Sequence, residues 1–352
     1  MSVTNSTYSN PSQLLQRNEA LFEGKNILVA GNLDDNYPLH LQSLANSSTF
    51  CFSDYRYFSA LNDQLSTSTR LFTDNYQGEE SDNKPFNLLL IFVPKAKQEL
   101  QYLLANLTPH LEQGAAIILV GEKKVGIKSA GTLLKPYAAN INMLDSARHC
   151  SLLYCELVNK VAPFKQADWV KNYTVKVNDV FLQICSLPGV FSHGELDKGT
   201  ELLLQNLPKD LMGSVLDFGC GAGVIGCYIK SCFPNSEIDM IDINAYSLAS
   251  SRLSLIKNKL NANVFASNVF SDVNKKYNNL LSNPPFHSGQ KTNYVAAETF
   301  INQSPAYLKS RGTLLIVANK FLRYEPLLTD TYGSLSTPID NNKFKLLRCI
   351  NK

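Results

Sequence analysis

What this chain has little of sets the first limits on its function. Its net charge is only +3 over 352 residues, so it is not a bulk polycationic nucleic-acid binder, although a local basic patch fits a near-neutral surface. Long hydrophobic runs are missing. Stretches such as Leu88–Val93 and Ala115–Val120 fall far short of the ~20 apolar residues that span a bilayer. The polar start, Met1 to Gln13, lacks the basic residues and apolar run of a secretory signal. None of the eight cysteines forms a Cys-x-x-Cys pair, and the five histidines have no ligand spacing. That argues against a zinc site and a disulfide framework, and for small buried hydrophobes in a reducing compartment. The expectation is a cytoplasmic protein with no metal and no membrane contact.

With 44% hydrophobic and 18% charged residues the composition is globular, and the length suits two domains of about 100–200 residues each. Both halves read as strands alternating with helical stretches, the pattern of a doubly wound α/β sheet. Expected strands are Asn26–Ala30, Phe86–Val93 and Ala115–Val120, then Ser214–Phe218, Glu237–Asp242, Asn263–Ala266, Asn279–Ser282 and Thr313–Ala318. The Pro-containing stretch from Val161 to His193 reads as the connection. Within it, Tyr173–Val177 and Val180–Cys185 flank a hairpin turn at Asn178-Asp179. The halves also echo each other. Gly24 to Gly31 parallels Gly213 to Gly219, Phe86 to Pro94 parallels Tyr277 to Pro285, and Gly114 to Val120 parallels Gly312 to Ala318. A duplication is expected, with a first copy that kept the fold and lost the chemistry, because it lacks the glycine-rich turn.

That turn is the sharpest segment of the chain. Val215-Leu216-Asp217-Phe218-Gly219-Cys220-Gly221-Ala222-Gly223-Val224-Ile225-Gly226 is a buried strand ending in an acid, then glycines at alternate positions before a helix. Glycines accept positive φ and let a ligand approach the backbone. Gly221, Gly223 and Gly226 alone also satisfy the dinucleotide fingerprint, and Asp242 suits a ribose in either case. Asp217 tilts the balance: a carboxylate there would repel a pyrophosphate but attract the ammonium of S-adenosylmethionine (AdoMet). Asn283-Pro284-Pro285-Phe286, after the strand Asn279–Ser282, has no use in a dehydrogenase.

The tetrad suits an exocyclic amine, a weak nucleophile with two N–H donors. The Asn283 side-chain oxygen and the Pro284 carbonyl offer two acceptors. The prolines stiffen the turn and remove donors. Phe286 can stack on a base, worth about 1–3 kcal/mol. His287 beside the tetrad is read as a pocket wall.

Taken together these segments resemble the bacterial 16S ribosomal RNA guanine-N2 methyltransferase C family over nearly the whole chain. The likeness rests on Leu187-Pro188-Gly189-Val190-Phe191-Ser192, Asp217–Gly226, Phe265 to Ser271, Ser282 to His287 and Ile316 to Asn319, with Gly121 to Ala130 and Asp145 to Arg148 in the first half. It implies an α/β fold of two tandem Rossmann-like class I methyltransferase domains, the first degenerate. The expected domains are 1–163, for support and RNA binding, and 168–352, for catalysis. It implies a cytoplasmic, monomeric enzyme methylating one guanine of 16S rRNA within the small ribosomal subunit. Carried over, Asp217, Gly219, Gly221 and Gly223 line the methionine end of AdoMet, and Asp242 the ribose. Asn268 and Val269 face the adenine, and Asn283, Pro284, Pro285 and Phe286 hold the base. Lys123, Lys124, Lys128, Lys135 and Arg148 are candidates for RNA phosphates. No basic extension follows Lys352, which suggests fewer phosphate contacts there. Two other readings stay open. One is a related amine methyltransferase acting on large-subunit rRNA, adenine N6 or protein glutamine. The other is a non-catalytic ribosome-assembly factor.

Overall fold

The computed structural model describes residues 8–61, 64–65, 68–78, 85–159, 161–209, 211–284 and 291–352, without the side chains of 291–295. The chain divides into two compact units, Met1–Trp169 and Val170–Lys352. Val161 packs against the first unit's core. Phe164 and Trp169 set their rings against Tyr102, and Gln166 Nε2 donates to Tyr102 Oη at 3.0 Å. These aromatic contacts hold 161–169 on the first unit, so the division falls at Trp169, inside the expected connection from Val161 to His193.

In the first unit the strands are β1 (Asn26–Gly31), β2 (Ser47–Phe52), β3 (Thr69–Phe72), β4 (Phe86–Phe92), β5 (Leu111–Glu122), β6 (Asn142–Ala147) and β7 (Cys150–Glu156). They form one sheet in the order β3-β2-β1-β4-β5-β7-β6. The second unit opens with a hairpin, β8 (Lys171–Val177) and β9 (Val180–Ser186), turned at Asn178 with φ +51°. Then come β10 (Ser214–Phe218), β11 (Glu237–Asp242), β12 (Asn263–Ala266), β13 (Tyr277–Ser282), β14 (Leu308–Asn319), β15 (Ser336–Asp340) and β16 (Phe344–Ile350). Their order, β12-β11-β10-β13-β14-β16-β15, repeats that of the first sheet strand for strand.

Burial on both faces explains why the central parallel strands read as unbroken apolar runs. The residues of β1 are all buried, with side chains alternating between two hydrophobic clusters. The outer strands β6 and β15 are largely exposed and carry no apolar run, and for that reason were not among the expected strands.

The register confirms the repeat in atomic detail. Ile27 faces Leu88 as Val215 faces Asn279. Asn87 Oδ1 accepts from Asn26 N at 2.9 Å, and its counterpart Asn278 Oδ1 accepts from Ser214 N at 3.0 Å. The last repeat pair is offset by one residue from the expected match of Gly114 with Gly312. Leu88 faces Ala116 as Asn279 faces Thr313, so Gly114 corresponds to Arg311. Both residues have positive φ, +81° and +61°, and both donate N–H to the end of the neighbouring antiparallel strand's path, at Leu157 O and Asn351 O.

Candidate functional site

The polar residues singled out in the second half gather at the carboxyl edge of its sheet, where open α/β sheets take ligands. Asp217 is the next-to-last residue of β10 and is fully buried. Its Oδ2 accepts from Gly226 N at 2.9 Å, across the glycine turn. Its Oδ1 is buried without a hydrogen-bond partner. Burial pushes the carboxyl up to about 7; the Gly226 N–H opposes that shift, and the nearby Asp242 adds to it. A buried carboxylate oxygen with no donor is costly unless something supplies one.

Asp242 ends β11, and its Oδ2 accepts from Gly221 N at 3.0 Å while Oδ1 accepts from Asn244 N at 2.9 Å. It therefore ties the glycine turn to the next strand. Its carboxyl is raised by burial, against the pull of the backbone donors of Asn244, Gly221 and Ile243.

The glycines divide into two kinds. A Cβ on Gly219 or Gly221 would meet nothing within 4 Å, although both have positive φ, +72° and +54°. A Cβ on Gly223 would lie 3.0 Å from the Ser251 Cα, and one on Gly226 would lie 2.5 Å from the Met240 sulfur. Gly223 and Gly226 are thus required by packing against Ser251 and Met240 of neighbouring elements, whereas Gly219 and Gly221 face open space. Gly223, expected to line the methionine end of AdoMet, is in addition held to glycine by Ser251 and Met240.

Sequence reasoning missed the serines that clamp this turn. On helix Ala245–Lys257, Ser251 Oγ donates to Gly221 O at 2.9 Å, and Ser254 Oγ donates to Ala222 O at 2.8 Å. Ser250 and Ser254 also accept from Leu187 N and Cys185 N, fixing the hairpin end to the same helix. Ser247, Ser250, Ser251 and Ser254 are spaced for one helical face, and that spacing was the available signal.

After β12, Asn268 is exposed and Val269 sits at φ +56°, a conformation that β-branched residues rarely adopt. Such strain persists where surrounding structure imposes it, often at binding sites. Asn283 follows β13, and its Nδ2 donates to Asp197 Oδ2 at 2.7 Å and to Thr200 Oγ1 at 2.8 Å. Asn283 and Pro284 line a cavity of about 110 Å³ with Phe191, Asp197, Asn319 and Phe344 among its walls. Pro285, Phe286 and His287 lie outside the described residues.

The same positions in the first unit show what a loss of chemistry looks like. Counting along the paired strands, Val29 stands where Asp217 does, Phe52 where Asp242 does and Phe92 where Asn283 does. All three are apolar and at most 3% exposed. Gly31 corresponds to Gly219, but a Cβ there would strike the Phe92 carbonyl oxygen at 2.0 Å. The first copy has filled its carboxyl edge with its own side chains.

Comparison with known proteins decides the family. The N-terminal model of the methyltransferase small domain matches residues 12–173, and the methyltransferase small domain matches 181–348. A ribosomal RNA small subunit methyltransferase C of Psychromonas ingrahamii is 64% identical over the full length of both chains. The chain belongs to the ribosomal RNA small subunit methyltransferase C family. A Vibrio vulnificus methyltransferase C is 44% identical over 97% of this chain and 98% of its own. A T. thermophilus 16S rRNA N2 methyltransferase, solved with AdoMet and guanosine, superposes with a TM-score of 0.83 over 98% of this chain and 92% of that one. At 21% identity this last likeness shows that the methyltransferase C fold of two tandem sheets is shared.

The basic residues of the first unit are partly brought together. Arg148 and His149 form the tight turn between β6 and β7, with φ of +50° and +61°. Lys123 N donates to His149 O at 2.7 Å, which sets the turn Lys123–Val125 beside it. Lys124 is exposed and pairs with Glu122. Lys128 is exposed on the next turn of chain, and Lys135 ends the turn Gly131–Leu134. Among the described residues no ion pair or hydrogen bond joins Lys135 to the other four. Among the described residues there is also no helix long and apolar enough to cross a membrane.

Proposed function

We propose that this chain transfers a methyl group from AdoMet to the exocyclic N2 amine of one guanine in 16S rRNA, within the small ribosomal subunit. The observation that carries the reading is the buried, unpartnered Asp217 Oδ1 beside two glycines that face open space. That oxygen fits the ammonium of AdoMet, and Gly219 and Gly221 leave room for its methionine end. The names of the close relatives supply the substrate class.

AdoMet, when bound, supplies a methyl on a positively charged sulfur whose departure needs no further activation. The residues of the chain bind and orient. Asp217 holds the ammonium, Asp242 accepts from the ribose hydroxyls, and Asn268 with the strained Val269 borders the adenine. Asn283 Oδ1 and the Pro284 carbonyl accept from the two N–H groups of the guanine amine. This aligns its nitrogen for attack. Pro285 stiffens the turn and Phe286 covers the base face. On this reading the first unit supports the second and contacts RNA through Lys123, Lys124, Lys128, Lys135 and Arg148. The enzyme works as a cytoplasmic monomer.

Labelled AdoMet should transfer its methyl to isolated small subunits and leave it on a single guanine N2. Calorimetry should find one AdoMet per chain. Transfer to large subunits, to adenine or to protein alone would replace this reading with a related amine methyltransferase. A chain that binds no AdoMet would be an assembly factor.

The raised Asp217 carboxyl predicts a pH dependence. The ammonium prefers the carboxylate, so AdoMet affinity should weaken as pH falls through about 7, approaching about tenfold per pH unit below it. Above about 7.7–8.0 the α-amine of AdoMet loses its proton, so the optimum is narrow. In the ligand-free protein the sign for stability is opposite. Protonation of this group favours folding fully below 3.8, and that contribution is lost as pH rises towards 7. Asp217→Asn should therefore bind AdoMet poorly yet melt higher than the parent at pH 8, with a smaller gap at pH 5. An acid limb absent from the parent's binding curve would remove Asp217 from the ammonium site.

A further inference from the structure

We infer that Asp197 and Thr200 are positioning residues that fix which end of the Asn283 amide faces the substrate amine. The inference rests on the reading in which Asn283 Oδ1 accepts from that amine.

An asparagine amide has two ends of nearly equal size and opposite character. If it rotated by half a turn, Asn283 would present N–H donors to an amine that itself donates, and the contact would become repulsive. Something must therefore hold the nitrogen end. Asp197 Oδ2 lies 2.7 Å from Asn283 Nδ2, and Thr200 Oγ1 lies 2.8 Å from it, so both N–H groups of the amide have acceptors. An ionised carboxylate only accepts, so only the nitrogen end can face Asp197. The oxygen end is left for the substrate.

The acceptor is itself fixed. Asp197 caps the helix Lys198–Gln205, and the same Oδ2 accepts from Thr200 N at 2.9 Å. One carboxylate oxygen therefore joins a helix N-terminus to the residue after β13. Gly199 keeps the space between them. A Cβ there would lie 3.0 Å from Asp197 Oδ2, 3.3 Å from the Phe344 ring and 3.5 Å from Asn283 Nδ2. The bond to Asp197 is also charge-assisted. It draws electron density through the amide towards Oδ1 and makes that oxygen a better acceptor.

A helix cap alone would also explain the Thr200 N–H contact, and the test separates the two roles. Asp197→Ser retains a good capping residue but cannot reach Asn283 Nδ2 as the carboxylate does. Thr200→Val removes the second acceptor with little change of shape. Methyl transfer to small subunits, AdoMet affinity by calorimetry and melting temperature would be measured for each. Asp197→Ser should lower kcat about tenfold or more, and Thr200→Val by less, with AdoMet affinity within about twofold. Asp197→Asn, whose oxygen can still accept from Asn283, should recover most of the loss. In an Asn283→Ala background, Asp197→Ser should add less than about twofold, because its effect passes through the amide.

Parental kcat in Asp197→Ser overturns the inference, as does an effect that multiplies with Asn283→Ala, or a loss confined to AdoMet affinity. If Asn283→Ala lowers kcat and Asp197→Ser does not, only the positioning role fails. If Asn283→Ala itself is fully active, the role given to Asn283 fails first.

Discussion

Gly221→Val is expected to abolish AdoMet binding while leaving the protein folded. A Cβ at Gly221 would meet no protein atom within 4 Å, so the new side chain enters the space assigned to the ligand rather than the core. The cost to folding is confined to φ +54°, a conformation a β-branched residue tolerates poorly, at about 1–3 kcal/mol. For a unit of this size that is a drop of roughly 2–4 °C in melting temperature per kcal/mol. Calorimetry should then show no heat at AdoMet concentrations that saturate the parent. Gly223→Ala should fail in the opposite way. Its Cβ would press on the Ser251 backbone at 3.0 Å, at φ +85°, so stability should fall sharply even though only one methyl is added. If Gly221→Val bound AdoMet with parental affinity, the turn would be structural throughout, and Asp217 would need another partner for its buried oxygen.

These two glycines show where sequence reasoning reaches and where it stops. The turn was legible because alternate glycines after a buried strand have few other uses. Whether a given glycine serves a ligand or a helix was not, because that depends on Met240 and Ser251, which approach from other elements. The central strands were legible from their apolar runs. The antiparallel pairs β6–β7 and β15–β16 were not, because one strand of each is largely exposed and has no apolar run. The repeat was visible, but matching Gly114 to Gly312 by identity misplaced it by one residue. The conserved feature is a backbone conformation, held by Gly114 in one copy and Arg311 in the other. Only the register revealed that Val29, Phe52 and Phe92 replace Asp217, Asp242 and Asn283. Asp197 lies 86 residues before Asn283 in the chain, and no local pattern joins them.

Asn283→Ala should spare AdoMet affinity and cut turnover by about tenfold to a few hundredfold. The lower figure follows from losing one hydrogen bond to the guanine amine, and the upper from leaving a buried donor unpaired, about 1–3 kcal/mol. The loss should appear in kcat more than in KM, because the amine draws most on its acceptors as the nitrogen leaves planarity and becomes positive. The substitution also frees Asp197 Oδ2 and Thr200 Oγ1 from the amide. Asp197 keeps its bond to Thr200 N, so the helix cap survives and the melting temperature should move little. Asn283→Asp is the sharper probe, since it restores an oxygen acceptor but sets a second carboxylate against Asp197. Repulsion across a gap now bridged at 2.7 Å should turn that side chain away or protonate one of the pair. Activity should then stay low at pH 8 and recover in part as the pH falls towards 6. Steady-state kinetics on small subunits across that range would show it. Parental turnover in Asn283→Ala would move the chemistry away from the residue after β13.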